Sequence, residues 1–238
     1  MDAAVDPSPE PSVGSAATVV LLREGESGPE VLLGERPHDR GSFAGAWVFP
    51  GGAVDDEDAG SDPIGSSAAA RRAAVRETRE EVGLEVAPDE LVEFAVWSPP
   101  RGVPKRMRTR FFAGRAPEGE ARPAPDELIE LAWLAPGEAL ERHAVGAMRL
   151  FPPTWVTLHE LRGLRTVDEA LQELGAEEPR AYVGRFAADR SALYWQEDAQ
   201  FAADESARPS DDLGRPGPAG PLHRLVMDRL PWEYVRSF

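Results

Sequence analysis

The sequence predicts an α/β fold, because segments with the pattern of β-strands alternate with segments that have the pattern of helices. Short apolar runs, several of them β-branched, lie at 17–23, 30–33, 46–49, 91–97 and 128–134, and a run that alternates between arginine and other residues lies at 106–112. Such runs, bounded by polar or glycine-containing segments, are typical of strands. We predict helices at 67–82, 137–143, 153–161 and 166–174.

Length and composition narrow the class of protein. At 238 residues the chain has room for one domain with a substantial core and extensions, or for two small domains. No apolar run approaches the length of a bilayer, and residues 1–14 are acidic and proline-containing rather than basic and apolar. We therefore expect a cytoplasmic protein with no membrane partner. Cys is absent, which excludes disulfides and thiolate sites.

The charge also excludes one class of partner. The formal net charge is -16, whereas binding to nucleic acid depends on Lys and Arg that neutralise phosphates. We expect no nucleic-acid partner. A small phosphorylated ligand remains compatible with this charge, provided that local positive charge or metal ions offset the repulsion.

The first strands lead to a glycine turn. A turn-like segment separates 17–23 from 30–33, and the strand at 46–49 is followed by Pro-Gly-Gly at 50–52. Because Pro lacks a backbone donor and Gly permits positive φ, we expect the strand at 46–49 to stop there. The next segment, 53–67, is acidic and we predict a loop.

The helix predicted at 67–82 has clear boundary signals. Ser66 or Ser67 provides a side-chain cap at its start, and Gly83 ends it. Its buried stripe is predicted to consist of Val75, Thr78 and Val82.

Three glutamates lie beside that stripe. Glu77, Glu80 and Glu81 are spaced i, i+3 and i+4, so their side chains fall within one narrow arc of the helix. Like charges this close repel one another, and a hard divalent cation with oxygen ligands would relieve the repulsion. The pattern therefore predicts a cation site at the edge of the core.

The strand at 106–112 carries a second charged pattern. Its alternation places Arg106, Arg108 and Arg110 on one face. Two interpretations stay open: an exposed face that balances an acidic protein, or a clamp that binds substrate phosphates.

The rest of the chain divides by composition. We expect a disordered tail at 1–14, a helical extension at 146–206 in which 182–195 is ambiguous, and a Pro/Gly linker at 207–221. The C-terminal segment, 222–238, is apolar enough to pack back on the body. The sequence does not decide between a monomer and a homodimer.

Two separated stretches resemble the signature box of the Nudix hydrolases, Gx5Ex7REUxEExGU with U aliphatic. They are Phe-Pro-Gly-Gly at 49–52 and Arg-Glu-Thr-Arg-Glu-Glu-Val-Gly-Leu at 76–84. The second half matches fully except that Thr78 replaces an aliphatic residue. The resemblance covers roughly residues 15–140. It implies the Nudix fold, an α/β/α sandwich with a mixed sheet, here as a domain at 15–145.

The first half of the box is longer in this chain than in the family. Arg76 follows Gly52 by 24 positions instead of fourteen, so ten residues are inserted. The early Glu of the family pattern falls on Ala68. The alternatives for the missing carboxylate are Asp55, Asp56, Glu57 and Asp58.

The lengthened box resembles the branch of the family related to the mammalian peroxisomal coenzyme A diphosphatase. The stretches that carry this likeness are GGAVD at 51–55, WxP at 97–99, TRFF at 109–112 and PPTW at 152–155. Residues 32–36 (LLGER) only echo the LLTxR motif of bacterial coenzyme A relatives.

The resemblance implies an enzyme. Family members cut the pyrophosphate bond of a nucleoside diphosphate joined to another group, such as coenzyme A, NADH or an ADP-sugar, by attack of water on phosphorus. Glu77, Glu80 and Glu81 would then bind Mg²⁺ or Mn²⁺ with a backbone carbonyl of Gly51 or Gly52. Arg76 would orient the carboxylates.

The general base and the activity itself have alternatives. The base varies within the family, so Glu80, Glu81 or a later glutamate is expected in that role. Glu127, Glu130 and Asp55 are further candidates for a base or an extra ligand. Because the first half of the box is displaced, a catalytically silent domain that senses a nucleotide ligand is the alternative to an enzyme.

Overall fold

A computed structural model describes residues 13–41, 43–103, 105–201 and 220–238. Most of the predicted disordered tail at 1–14 and of the predicted linker at 207–221 lies outside the described residues. Strands and helices alternate as predicted over the first part of the chain.

The described residues form eleven strands. These are β1 (Gly14–Gly25), β2 (Gly28–Glu35), β3 (Trp47–Val48), β4 (Gly51–Ala53), β5 (Val92–Ser98), β6 (Met107–Arg115), β7 (Glu130–Leu134), β8 (Arg180–Phe186), β9 (Ala192–Trp195), β10 (His223–Val226) and β11 (Glu233–Arg236). The same residues contain five α-helices. These are α1 (Asp56–Ala59), α2 (Ser67–Val82), α3 (Pro136–Ala144), α4 (Pro152–Leu161) and α5 (Val167–Leu174).

The strands join in one mixed sheet. Its order is β11-β10-β9-β8-β5-β6-β1-β2-β3, with β4 paired to β1 and β7 paired to β2. The pairs β1–β6 and β5–β8 are parallel and the others are antiparallel. The predicted mixed sheet is confirmed.

Helices cover both faces of the sheet. Along β1, Val20 and Leu22 point into one core, and Val19 and Leu21 point into the other, as the two-residue repeat of a strand requires. The first core is closed by α3, α4 and α5, and the second by α2. This arrangement is the predicted α/β/α sandwich.

Helix α2 begins and ends where the sequence predicts. The Ser66 side chain accepts a hydrogen bond from the Ala69 N–H, and Gly83 has left-handed backbone with φ 70°. Thr78 and Val82 are buried as predicted, whereas Val75 is only half-buried. Small alanines in the first two turns of α2 let the helix lie close to the sheet.

The strand predicted at 46–49 is β3, and it ends before Pro50 as predicted. A separate short strand, β4, then pairs with β1, with Gly51 opposite Thr18. The prediction of a loop over 53–67 is wrong, because α1 forms within it. Asp55 and Asp58 make a capping box at its N-terminal end, and acidic residues in a first turn favour a helix electrostatically.

The predicted helical extension is only partly helical. Helices α4 and α5 form, but the chain then continues as β8 and β9 through the segment that was ambiguous in the sequence. Strand β8 pairs in parallel with β5, and β10 pairs with β9, so the C-terminal residues extend the sheet. No helix in the described part of the chain has the length and apolar character needed to span a membrane.

Candidate active site

The second half of α2 faces the glycine turn. The Gly51 N–H donates a 2.8 Å hydrogen bond to Oε2 of Glu81. A Cβ atom on Gly52 would lie 2.3 Å from Oε1 of Glu77, so a glycine is needed for this approach. Glu77, Glu80 and Glu81, together with Gly51 and Gly52, form what we call the glutamate face.

Glu81 is the buried member of this face, with only 2% of its surface exposed. Burial raises the pKa of Glu81 to about 7, although the Gly51 N–H and the charge of Arg36 oppose the shift. Burial likewise raises the pKa of Glu77 above its ordinary value, against the opposing effect of Arg76. Burial is thus the main cause of both shifts, and the nearby arginines offset it only in part.

Arg36, at the end of β2, is the cation nearest to Glu81. Its Nη2 lies 3.5 Å from Glu81 Oε1 and 3.5 Å from the Gly51 carbonyl oxygen. Its Nη1 lies 4.0 Å from Glu127. These contacts are long for hydrogen bonds, and the buried Arg36 Nε has no partner among the described residues. The guanidinium is thus held loosely.

Arg76 binds two of the glutamates, as predicted for an orienting residue. Its Nη1 lies 2.9 Å from Glu77 Oε1 and 2.9 Å from Glu80 Oε2. Its Nη2 donates to the Ala53 carbonyl oxygen at 3.0 Å. The hydrogen bond to Asp58, followed by those to the glutamates, raises the pKa of Arg76 above its ordinary value, so Arg76 stays charged.

The inserted segment brings Asp58 to Arg76. Asp58 Oδ2 lies 2.7 Å from Arg76 Nη2 and Oδ1 lies 3.1 Å from Nε, a two-point contact. Asp58 is 5% exposed, whereas Asp55 is largely exposed and lies 3.6 Å from Arg76. Burial alone would raise the pKa of Asp58, but the bonds and charges of Arg76 and Arg72 bring it below its ordinary value. Of the four acidic alternatives, Asp58 contacts the box most directly.

The two later glutamates are placed differently. Glu127 lies close to Arg36 and its charge acts on Glu81, so it stands at the rim of the glutamate face. Glu130 lies opposite Glu35 in the pairing of β7 with β2. In the described residues Glu130 makes no ion pair with Arg36 or Arg76. Glu127 therefore remains a candidate base and Glu130 does not gain support.

Arg110, on β6, is bonded away from the glutamate face. Arg110 lies 2.5 Å from Glu93 Oε1 and donates to the Gly65 carbonyl oxygen at 3.1 Å. Gly65 precedes the start of α2, which is about 15 Å along the helix axis from Glu77. Of the two interpretations that the sequence leaves open, these contacts favour a structural one for Arg110, which anchors the inserted segment. The roles of Arg106 and Arg108 stay predictions.

The donors of the glutamate face suit a hard cation, since Mg²⁺ and Mn²⁺ prefer carboxylate and carbonyl oxygens. Within the described parts of the chain, no three acidic side chains gather closely enough to share one ion. Arg76 lies between Glu77 and Glu80 instead, and Arg36 faces Glu81. One guanidinium nitrogen, Arg36 Nη2, lies 3.5 Å from both the Glu81 carboxylate and the Gly51 carbonyl oxygen, so a single cationic group can contact both donors. The donor set therefore fits such a cation.

Sequence reasoning did not assign two residues of this site. Arg36 ends the LLGER stretch and follows a predicted strand, and neither feature predicts a contact with Glu81. Asp58 was one of four neighbouring acids, and only its burial in the folded chain distinguishes it from Asp55.

Comparison with known proteins gives the same family for this region. A family model, the NUDIX domain, matches residues 13–155. The chain is similar to a CTP pyrophosphohydrolase of Escherichia coli (strain K12), with 32% identity over 122 residues, which are 51% of this chain and 76% of the relative. It is also similar to the crystal structure of a NUDIX hydrolase from Alicyclobacillus acidocaldarius. That match has a TM-score of 0.62 and 25% identity, and covers 70% of this chain and 99% of the other.

Proposed function

This chain belongs to the NUDIX domain family and is a hydrolase acting on pyrophosphate bonds, and from that premise we propose where and on what it acts. The proposed site is the glutamate face, and the proposed substrate is a nucleoside diphosphate linked to a second group. One observation carries the assignment. The Gly51 N–H bonds Glu81 at 2.8 Å, which brings the two halves of the box together despite the ten inserted residues.

The substrate class is proposed from two sources. The lengthened box resembles the coenzyme A branch, and this favours coenzyme A, NADH or an ADP-sugar. The Escherichia coli relative is named for CTP, so nucleoside triphosphates belong in the same test. We favour the first class, because the stretches shared with the coenzyme A branch reach from the box to α4.

NUDIX hydrolases generally use divalent cations, and we propose that Glu77, Glu80, Glu81 and the Gly51 carbonyl would hold Mg²⁺ or Mn²⁺ here. When bound, such a cation supplies positive charge that polarises phosphoryl oxygens and acidifies the attacking water. The protein residues bind and orient the substrate and accept the proton of the attacking water.

Arg36 is proposed to bind a phosphoryl oxygen of the substrate. Its Nη2 contacts with Glu81 and Gly51 are long, so this nitrogen has donors to offer a ligand. An arginine matches the geometry of a phosphate better than a point charge does. Arg76 is already bonded to four groups, and we assign it to orienting Glu77 and Glu80.

Glu127 is proposed as the base that takes a proton from the attacking water. It lies at the rim of the glutamate face beside Arg36, and its side chain is exposed enough to reach solvent. Glu80 and Glu81 are the alternatives. If Glu127→Gln lowers kcat but still binds the cation, the result supports Glu127 as the base. If the variant loses both activity and cation binding, the result does not support that role.

The silent-sensor alternative rested on the displaced first half of the box. In the folded chain, Asp58 contacts Arg76 at two points, so a residue of the insertion is bonded to the second half of the box. This supports the enzyme.

The test is turnover by the full chain. The protein is incubated with Mg²⁺ or Mn²⁺ and coenzyme A, NADH, ADP-ribose, dinucleoside polyphosphates or nucleoside triphosphates including CTP, and products are identified by mass. We expect cleavage within the pyrophosphate of at least one compound. Tight binding of one compound with no turnover of any would contradict the proposal.

A matched pair of variants locates the site. Glu80→Gln should lower kcat by orders of magnitude, whereas Glu85→Gln, an exposed residue just beyond α2, should leave kcat unchanged. Cation binding is measured separately as a rise in Tm on adding Mn²⁺, because a ligand that binds only the folded state stabilises it. Equal activity of the two variants would place the chemistry elsewhere.

A further inference from the structure

The loop between β2 and β3 carries a large aromatic side chain in an unusual conformation. Phe43 is 54% exposed and has a left-handed backbone with φ 63°. Gly41 and Gly45 in the same loop also have positive φ, where glycine meets no steric cost. A bulky residue in this region is strained, and such strain is most often found at functional sites.

Phe43 forms part of a small aromatic and basic surface. Its ring meets the ring of Phe151 edge to face, with centroids 4.7 Å apart. The Arg149 guanidinium lies 5.3 Å from the centroid of Phe151, and Arg149 also donates to the Ala44 carbonyl oxygen at 3.2 Å. We call Phe43, Phe151 and Arg149 the aromatic platform. It combines an exposed ring with a positive charge.

The platform is connected to the glutamate face at both ends of the loop. The loop leaves the sheet at Arg36, which faces Glu81, and it returns through β3 to Gly51, which bonds Glu81. The Trp47 N–H donates to the Arg149 carbonyl oxygen at 2.9 Å. Gly51 follows Trp47 by four positions, so that stretch of chain spans at most about 13 Å.

We propose that the aromatic platform stacks against the nucleobase of the substrate. The inference rests on the proposed function and adds the residues that hold the end of the substrate remote from the pyrophosphate. Every base has a π-face, so stacking on Phe43 binds different bases with similar strength. Arg149 adds a cation beside the rings, where it offsets the repulsion of an anionic ligand by a chain with net charge -16.

The test measures binding, so it does not depend on turnover. Equilibrium dialysis compares AMP and CMP with ribose 5-phosphate, which has the sugar and phosphate but no base. Phe43→Ala should raise the Kd for AMP and CMP roughly 5- to 100-fold, the loss expected for one stacked base. The Kd for ribose 5-phosphate should be the same as in the wild type.

Phe238→Ala is the matched control. Phe238 is 58% exposed and has the Arg236 guanidinium 5.0 Å from its ring centroid, but it follows β11, at the opposite end of the sheet from β3. This variant should bind AMP like the wild type. Phe43→Trp, which keeps a stacking surface, should retain most of the affinity.

A further variant separates binding from folding. Phe43→Gly removes both the ring and the cause of strain, so it should raise Tm while weakening AMP binding as much as Phe43→Ala does. Unchanged AMP binding in Phe43→Ala, or an equal loss for ribose 5-phosphate, would overturn the platform. If the wild type turns over no compound but the AMP results hold, the proposed activity fails and the platform stands.

Discussion

Replacing Asp58 with asparagine tests what holds the two halves of the box in register. The wild-type carboxylate makes two bonds to Arg76, at 2.7 and 3.1 Å, and one bond of 2.9 Å from the Asp55 N–H. Asparagine keeps the shape and one acceptor oxygen. It loses the negative charge and one of the charge-assisted bonds.

The expected loss of stability follows from burial. A hydrogen bond to a charged group contributes about 1.5–3 kcal/mol to the free energy of unfolding, and leaving a buried charge without a partner costs about 3–5 kcal/mol. Arg76 keeps Glu77 and Glu80 as partners in the variant, so the lower range applies. We expect the Asp58→Asn variant to lose about 2–3 kcal/mol, which lowers Tm by roughly 4–12 °C in a domain of this size.

Asp62→Asn is the control within the same inserted segment. Asp62 also pairs with an arginine at 2.7 Å, but Asp62 and Arg72 are both nearly half exposed. Exposed pairs contribute about 0–1 kcal/mol, so Tm should change by less than about 4 °C. The two variants make the same chemical change and differ in burial.

Activity and pH dependence complete the test. Release of Arg76 loosens its hold on Glu77 and Glu80, and loss of such an orienting partner typically costs about 10–100-fold. Because the pKa of Asp58 is lowered in the folded state, its stabilisation is present above about pH 4 and disappears as pH falls through the lowered pKa. The Tm difference between wild type and Asp58→Asn should therefore narrow only in acid. If Asp58→Asn matches Asp62→Asn in Tm and kcat, the reasoning is refuted.

Three further predictions concern other parts of the protein. Glu81→Gln should keep Tm within a few degrees, because burial already raises the pKa of Glu81 to about 7, but kcat should fall by orders of magnitude. Gly52→Ala should displace the flexible Glu77 carboxylate and lower kcat with little change in Tm. Gly51→Ala should instead lower Tm by roughly 5 °C or more, since Gly51 has φ 155° and a Cβ would lie 2.2 Å from a carbonyl oxygen of β1. Burial lowers the pKa of His223, so the folded state favours neutral His223. The Tm of the wild type should therefore fall as pH drops below about 6.5. The Tm of His223→Gln should fall less over the same pH range.

Each of these predictions has an outcome that contradicts it. Near-normal kcat in Glu81→Gln would remove Glu81 from the chemistry, and unfolding of that variant would show that its charge stabilises the fold. Equal effects of Gly51→Ala and Gly52→Ala on Tm would contradict the prediction that Gly51 is needed for stability and Gly52 for activity. Identical Tm profiles of wild type and His223→Gln between pH 7.5 and 5.5 would show that the pKa of His223 is the same in the folded and unfolded states.

The local elements were predictable because their signals are local. Ser66 and Gly83 mark the ends of α2 through side-chain capping and left-handed backbone, both of which depend on residue type alone. Neither signal depends on the partner of the helix. The glutamate spacing on α2 likewise follows from helix geometry.

The C-terminal strands were not predictable in the same way. Strand β8 pairs in parallel with β5, with Arg180 opposite Ala95, which is a contact between residues far apart in sequence. Tyr182 stacks on Trp97 with ring centroids 3.8 Å apart, and this packing selects a strand where the local pattern was ambiguous. Tertiary contacts outweigh weak local preference in such segments.

The sequence by itself determined the family box, the helix that carries Glu77, Glu80 and Glu81, and the need for positive charge beside them. Only the tertiary structure decided which other charges meet that helix. Asp58 reaches Arg76 because α1 forms in the insertion, and Arg110 is held away by Glu93 and Gly65. The physical reason is that helix spacing is a property of a few consecutive residues, whereas an ion pair depends on where the whole chain places both partners.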